Sequence, residues 1–228
     1  MVRLCGERTD AFTAFHPAKM GTKDRIIQAA VKLFNQKGTK EVTTNHIAAG
    51  AGISSGNLYY HFRNKEEIIR EIFVRIVEFT ETESSYGSGF RVKPSIENME
   101  AVFKRVYTLH WEYRFFYREF NALLKRDKAL RAAIIKDQKN RLTEVRNSIL
   151  AFIDARIFRY MDESEIDFLK TSLWITGTYW HSFLESGGKK ITISRVEDGI
   201  DMMRRLLRPY MNKTVGERNK RNVRKSEG

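Results

Sequence analysis

Apolar residues recur at intervals of three or four positions from residue 22 to residue 212, and no segment sustains the period-two alternation of a surface strand. This pattern predicts an all-α fold of about nine helices. The first helix is expected to start at an N-cap on Thr22 and to stop at Gly38. The second helix is expected from Thr43 to about Gly52, the third after the cap residue Ser54, and the fourth after the capping pair Asn64 and Glu67. The remaining helices are expected over residues 96–111, 113–125, 128–158, 163–186 and 195–210. Two of these have further capping pairs, at Asp162 and Glu165 and at Ser194 and Glu197.

The segment SSYGSGFRVKPS, residues 84–95, is the most loop-like stretch inside the chain and is expected to end the fourth helix. It separates a small N-terminal group of helices from a larger C-terminal group. The chain is therefore expected to contain a disordered N-terminal extension, a small helical domain, a larger helical domain and a basic disordered tail, over residues 1–20, 21–66, 67–212 and 213–228. Met20 is a second candidate for the start of the protein.

Positive charge is concentrated towards the two ends of the chain. The protein has 41 Lys and Arg residues against 28 Asp and Glu, a net charge of +13. Seven basic and two acidic residues lie in 21–65 and again in 208–228, whereas 66–207 holds 24 and 22. An excess of this kind indicates a polyanionic partner such as nucleic acid. For the C-terminal run alone, a solubilising tail explains the charge better.

The segment HIAAGAGISSGNLYY has the pattern of a helix-turn-helix. Gly52 permits a sharp reversal between two short helices, and Ile47 and Leu58 are spaced to pack one helix on the other. In such a motif the second helix enters the major groove of DNA. The small residues Ser55 and Gly56 at its start would let the backbone come close to the groove.

The longer stretch VTTNHIAAGAGISSGNLYYHFRNKEEII, preceded by RIIQAAVKLFNQKG, resembles the DNA-binding domain of the TetR family of transcriptional regulators over about residues 23–72. The resemblance implies a homodimer whose recognition helices read a near-palindromic operator, usually as a repressor that a small effector releases. It also implies DNA-contacting positions, which here are Thr43, Thr44, Ser55, Gly56, Asn57, Tyr59, Tyr60, His61 and Lys65. Lys65 matches the family's phosphate-binding lysine. Many members have Lys or Pro where Ser55 stands, so the base preference stays open.

Some of these residues have structural explanations as well. A role for Asn57 as a cap or buttress of the turn is as good an explanation as a base contact. One of Tyr59 and Tyr60 is expected to pack inward, because adjacent helical positions face different directions. Leu58 and Phe62 are expected in the core.

The sequence supports neither catalysis nor a bound cofactor or metal. The segment GISSG, residues 52–56, fits the G-x-S-x-G motif of α/β-hydrolases, but that motif needs a buried strand before it, and here a helix is expected. None of the five histidines has a Glu three residues before it, which excludes the signature of dinuclear helix-bundle sites. We therefore expect no enzyme.

Aromatic residues are concentrated between Phe103 and Phe120, where eight of 18 positions are aromatic. Most are expected to form core. Tyr and Trp, however, carry polar atoms that need partners, and small-molecule sites are mostly apolar with a few polar groups. The candidate contacts for a largely hydrophobic effector are Tyr107, His110, Trp111, Tyr113, Tyr117, Trp174, Tyr179 and His181.

The last two long helices are expected to form a homodimer interface. Their apolar faces comprise Leu173, Gly177, Trp180 and Leu184 in one helix and Met202, Met203, Leu206 and Leu207 in the other. Burial of these faces within one chain explains them equally well from sequence alone.

Two further expectations concern location and the alternative function. The single cysteine, Cys5, and the lack of an apolar run of about 20 residues fit a cytoplasmic protein without a membrane partner. The alternative function is a helical small-molecule binding protein or enzyme whose DNA binding is incidental, weak and indifferent to sequence.

Overall fold

The structure is a computed structural model that describes residues 20–83 and 93–212. These residues form ten α-helices and a 3₁₀ turn at Arg208–Tyr210, so the all-α prediction is confirmed. The helices are α1 Thr22–Glu41, α2 Thr44–Gly50, α3 Ser55–His61, α4 Lys65–Glu83, α5 Ile96–Glu112, α6 Arg114–Arg118, α7 Phe120–Arg126, α8 Lys128–Asp154, α9 Glu163–Ser186 and α10 Ile193–Leu207. The expected N-terminal extension up to residue 19, the basic tail and residues 84–92 lie outside the described residues. None of the described helices is long and apolar enough to cross a membrane.

Several predicted helix starts are confirmed by side-chain caps. The Ser54 hydroxyl accepts a hydrogen bond from the backbone N–H of Asn57 at 3.2 Å. The Asn64 carboxamide oxygen accepts one from the N–H of Glu67 at 2.9 Å. Asp162 forms the predicted reciprocal capping box with the residue three positions on. Local sequence was therefore sufficient to place these starts.

Two predicted starts are wrong by one or two residues. Gly21, not Thr22, is the N-cap of α1. At α10 the cap is Thr192, whose hydroxyl accepts from the N–H of Arg195 at 3.4 Å, so the predicted cap Ser194 lies inside the helix. At α10 two hydroxyl residues, Thr192 and Ser194, flank the helix start and compete for the cap, and sequence alone did not separate them.

The predicted helix over residues 113–125 is divided into α6 and α7. The division lies at Glu119, which has φ −99° and ψ 13°. Its carboxylate is bonded to Thr39 of α1. The junction of α5 and α6 lies where the sequence predicted one helix to end and the next to begin, and it is bridged by Asn35 of α1, whose side-chain amide donates to the carbonyl of Glu112 at 2.7 Å and accepts from the N–H of Phe115 at 3.0 Å. The break that the sequence did not predict therefore coincides with a contact to a distant helix.

Helix α8 ends at Asp154, before the predicted end at residue 158. Arg156 has a positive φ of 56°. The N–H groups of Ile157 and Phe158 both donate to the carbonyl of Phe152 at 3.0 Å. A left-handed residue closes helices in this way, usually as glycine. An arginine at this position gave no sequence signal.

The chain divides into two compact units. Unit 1 comprises the described residues up to Ile76 together with Thr108–Asp127, and unit 2 comprises the described parts of Val77–Tyr107 and of the chain from Lys128 onward. The predicted boundary between residues 66 and 67 divides the chain by function and stays a prediction. The units follow packing instead, and they group α6 and α7 with the N-terminal helices.

The core of unit 1 is built from the predicted apolar stripes. Ile26, Phe34, Ile47 and Leu58 are fully buried. The rings of Phe34 and Phe115 lie 5.0 Å apart between centroids, which joins α6 to α1. Gly38 interrupts α1 with φ 79°, as the sequence predicted for a helix stop.

Unit 2 buries four of the eight residues that the sequence offered for dimerisation, while Leu173, Gly177 and Leu206 are half-buried and Met202 is exposed. Trp180 and Leu184 of α9, and Met203 and Leu207 of α10, are buried within the chain. Gly177 faces α10, because a Cβ atom added there would lie 3.4 Å from the Met203 methyl group. Burial within one chain, the alternative open from sequence, therefore describes these four side chains.

Candidate nucleic-acid interface

Helices α2 and α3 form the predicted helix-turn-helix. Gly52, at the turn, has φ 65°, a conformation that glycine adopts without strain. The N–H of Ile53 donates to the carbonyl of Ala48 at 3.1 Å and closes the turn. Ile47 and Leu58 are fully buried and pack the motif into unit 1. The surface of α3 is thereby fixed by core contacts on its other side.

The nine predicted DNA-contacting residues lie on the surface of unit 1. Six are exposed, namely Thr43, Ser55, Gly56, Asn57, Tyr59 and Tyr60. The other three, Thr44, His61 and Lys65, are half-buried. Leu58 and Phe62 are buried, as predicted. The motif therefore separates its core positions from its exposed ones as the sequence indicated.

The prediction that one of Tyr59 and Tyr60 packs inward is wrong. Tyr59 is 50% exposed and Tyr60 is 85% exposed. The Tyr59 hydroxyl lies 3.0 Å from the hydroxyl of Thr44, and the Tyr60 ring meets the His61 ring edge-on at 5.2 Å between centroids. In so short a helix Leu58, with the following Phe62, provides the inward packing. Both tyrosines are left on the surface.

Two exposed residues at the start of α2 cap the helix reciprocally. The Thr43 hydroxyl accepts from the N–H of His46 at 3.2 Å, and the N–H of Thr43 donates to the His46 ring at 3.3 Å. His46 is thus a surface histidine with a local structural role. At α3, capping belongs to the Ser54 hydroxyl, which leaves the exposed Asn57 side chain outside the cap.

The ammonium group of Lys65 is held by backbone carbonyl groups. It donates to the carbonyl oxygens of Thr39 at 2.5 Å and of Val42 at 2.8 Å. Partial burial lowers the pKa of Lys65, and the nearby Arg126 acts in the same direction. An ammonium group has three hydrogens. Two are used on the segment that precedes α2, and the predicted phosphate contact rests on the third.

Two residues outside the predicted set belong to this surface or support it. Asn45 accepts a hydrogen bond from the Ser55 hydroxyl at 2.9 Å. Glu119 accepts from the N–H of Thr39, at the end of α1. The only sequence signal for Asn45 was an exposed polar residue next to two threonines of the motif. Glu119 gave no sequence signal, because its partner Thr39 is 80 positions away.

The eight predicted effector contacts are divided equally between the two units. His110, Trp111, Tyr113 and Tyr117 lie in unit 1, and Tyr107, Trp174, Tyr179 and His181 lie in unit 2.

In unit 1 the rings of His110 and Tyr117 are 3.8 Å apart between centroids. Burial raises the pKa of Tyr113 to about 12. In unit 2 burial also raises the pKa of Tyr107, whereas Tyr179 is 37% exposed on the outer face of α9.

Comparisons with known proteins agree with the helix-turn-helix geometry. Residues 26–72 match the family described as "Bacterial regulatory proteins, tetR family", and residues 81–218 match the TetR description "Bacterial transcriptional repressor". The chain is 42% identical over 50 residues to the HTH-type transcriptional repressor KstR2 of Mycolicibacterium smegmatis, a match that spans 22% of this chain and 24% of KstR2. The chain therefore covers about a quarter of the length of that relative.

Solved structures extend the likeness to nearly the whole chain. A TetR-family transcriptional regulator from Marinobacter aquaeolei VT8 is 32% identical, with a TM-score of 0.78 over 87% of this chain and 95% of that one. SmeT of Stenotrophomonas maltophilia, solved with triclosan, is 20% identical, with a TM-score of 0.61 over 86% and 94%. At that identity SmeT shows the shared fold. Because the two family matches run through the helix-turn-helix and most of the chain beyond it, the chain belongs to the TetR family of bacterial transcriptional regulators.

Proposed function

We propose that the protein is a homodimeric DNA-binding repressor that reads a near-palindromic operator and is released by a small, largely hydrophobic effector. The observation that carries this proposal is the exposed face of α3, where Ser55, Gly56, Asn57, Tyr59 and Tyr60 are all exposed. Tyr59 and Tyr60 are adjacent, and two exposed aromatic side chains on one short helix form a contiguous apolar surface suited to contact a partner. As a DNA-binding regulator, the protein would act in the cytoplasm.

The proposed dimer is carried by an apolar stripe on α9. Phe168, Ile175, Tyr179 and Phe183 are 63%, 53%, 37% and 60% exposed. Their spacing of seven, four and four positions places them on one face of the helix, opposite the face that packs into unit 2. A contiguous exposed apolar stripe on a long helix marks an interaction surface. An isologous dimer through α9, with Met202 of α10 adding its exposed side chain, would cover this stripe.

The proposed effector response couples the two functions through α4. This helix starts beside the helix-turn-helix at Lys65 and runs on into unit 2. An effector that binds one arrangement of the dimer better than the other would shift the spacing of the two recognition helices away from about 34 Å, one turn of DNA. Effector and operator would then weaken each other's binding to the same extent.

The operator proposal is tested by selection of binding sites from a random DNA duplex library at physiological salt. Nonspecific binding is weak at this salt concentration, so enrichment reports sequence recognition. We expect wild-type protein to enrich a two-fold symmetric sequence. Tyr60→Ala is expected to abolish the enrichment, whereas Tyr160→Ala, which truncates a tyrosine 79% exposed in unit 2, is expected to leave it unchanged. Equal behaviour of the two variants would refute the proposed interface.

The effector proposal is tested with the tryptophan fluorescence of the intact dimer. The chain has three tryptophans, of which Trp111 lies in unit 1 and Trp174 in unit 2. We expect a ligand among straight-chain fatty acids, their methyl esters and substituted phenols to change the emission and to weaken operator binding together. A change in emission that persists in Trp111→Phe arises in unit 2, which holds Trp174 and Trp180, and one that Trp111→Phe removes arises in unit 1. Operator binding that no apolar ligand weakens would contradict an apolar effector.

A further inference from the structure

The hydroxyl group of Ser55 and the side-chain amide of Asn45 form a hydrogen bond across the helix-turn-helix. Ser55 Oγ lies 2.9 Å from Asn45 Oδ1, and both residues are exposed. Asn45 is the second residue of α2, and Ser55 is the first residue of α3. The bond therefore joins the start of one helix to the start of the recognition helix.

The chemistry of the two groups fixes the direction of this bond. An amide oxygen can only accept, so the hydroxyl of Ser55 donates its one hydrogen to Asn45. What Ser55 then offers to a further partner is an acceptor lone pair. What Asn45 offers is its NH₂ group, which can only donate. The bond converts two ambiguous polar side chains into an acceptor and a donor, next to each other on the exposed surface.

A parallel bridge holds the same two helices in register. The hydroxyl groups of Thr44 and Tyr59 lie 3.0 Å apart, so consecutive residues of α2, Thr44 and Asn45, each bond to a residue of α3. Two such bridges limit the rotation of the side chains that take part in them. The acceptor lone pair of Ser55 and the NH₂ group of Asn45 are therefore held in a fixed orientation.

We propose that Asn45 and Ser55 determine operator specificity as one unit. This inference rests on the proposed DNA-binding function. Ser55 accepts from a base amino group, adenine N6 or cytosine N4, and Asn45 donates to a base acceptor, the N7 of either purine, guanine O6 or thymine O4. A serine with a rotating hydroxyl can bond to either kind of base edge, so it specifies little. The partner on α2 is what gives Ser55 a preference.

The experiment compares operators selected from the random duplex library by wild-type protein, Asn45→Ala, Asn45→Asp and Ser55→Ala. For wild type we expect, in each half-site, about a tenfold preference for adenine or cytosine at one position and, beside it, a preference for any base other than cytosine, which has no acceptor in the major groove. Asn45→Ala is expected to remove both preferences, although Ser55 is unchanged, because its hydroxyl is free to rotate. Asn45→Asp retains the acceptor and is expected to keep the adenine or cytosine preference.

A control variant and a stability measurement distinguish failure of this inference from failure of the proposed DNA-binding function on which it rests. Asn140→Ala, which truncates an exposed asparagine of α8, is expected to select the wild-type operator. Thermal unfolding of every variant should match wild type within a few degrees, because Asn45, Ser55 and Asn140 are all exposed. If wild type selects an operator and the base preference that Ser55→Ala removes is still present in Asn45→Ala, the proposed joint role of Asn45 and Ser55 is wrong. The repressor proposal would then still stand. No enriched sequence from folded wild-type dimer would overturn both.

Discussion

The backbone N–H of Thr39 donates a bifurcated hydrogen bond to the two carboxylate oxygens of Glu119, at 3.0 and 3.2 Å, and Thr39 is fully buried. Gly38 breaks α1 with φ 79°, so the N–H that follows it has lost its helical acceptor. Glu119 supplies a charged acceptor in its place. A Cβ atom on Gly38 would lie 2.9 Å from a Glu119 carboxylate oxygen, so the break and the carboxylate fit each other.

Glu119→Ala is therefore expected to lower the free energy of unfolding by about 1–3 kcal/mol, the usual penalty for a buried donor that loses its partner. Glu119→Gln is expected to lose less, because its amide oxygen can still accept. The measurement is urea unfolding of the intact protein. Glu163→Ala, which removes a largely exposed partner of Arg146, serves as the control and is expected to change little. Equal losses for Glu119→Ala and Glu163→Ala would contradict the structural role of Glu119.

Lys65→Met is expected to reduce both stability and the salt dependence of operator binding. Stability falls because the carbonyl groups of Thr39 and Val42 lose a charged donor. If the third ammonium hydrogen binds a phosphate, the slope of log affinity against log salt concentration falls by about one per half-site. Lys136→Met, which replaces an exposed lysine of α8, should change neither the stability nor the salt dependence of operator binding. A loss of stability with an unchanged slope would leave Lys65 a purely structural residue.

Ile175→Glu is expected to convert the dimer into monomers at micromolar concentration, because it places a charge in the α9 stripe. Ile135→Glu is a matched control, since Ile135 is 55% exposed and Ile175 is 53% exposed and both lie in unit 2. Light scattering gives the mass of each variant. A dimer that persists in Ile175→Glu, or dissociates equally in both variants, would place the interface elsewhere.

Gly199→Ala is expected to destabilise the protein, whereas Gly177→Ala is not. A Cβ atom on Gly199 would lie 2.5 Å from the Tyr107 ring and 2.9 Å from the Trp180 ring, closer than atoms can approach. Overpacking of this kind costs about 1–3 kcal/mol. At Gly177 the nearest atom is a flexible methionine methyl at 3.4 Å, and alanine is the better helix former. Thermal unfolding of both variants tests the difference in sign.

Stability is expected to fall in alkaline solution as the tyrosines of the core ionise. Burial raises the pKa of Tyr113 to about 12, while tyrosine in an unfolded chain titrates near about 10. The unfolded state therefore releases its proton first, and the contribution that is complete below pH 10 is lost as the pH rises to 12. Urea unfolding between those values should show a shallower decline for Tyr113→Phe than for wild type. An identical decline would mean that Tyr113 ionises as readily in the folded protein.

Most of the candidate interface could be predicted from the sequence, but the donor and acceptor roles of Asn45 and Ser55 could not. The core positions Ile47 and Leu58, the cap Ser54 and the turn residue Gly52 follow from rules that act within a few residues. The bond between Asn45 and Ser55 joins two helices, and no periodicity reports which way a side-chain amide faces.

The sequence by itself determined the helical class, most helix starts and the core positions Ile47, Leu58 and Phe62 of the helix-turn-helix, because each depends on neighbours within about four positions. Only the tertiary structure decided where the helix after Tyr113 breaks, what Lys65 binds and which face of α9 is left exposed. Glu119, at that break, takes its partner Thr39 from 80 positions away. Local propensity carries no record of such a partner, and the free energy of satisfying a buried N–H or carbonyl group exceeds the small preference for an unbroken helix.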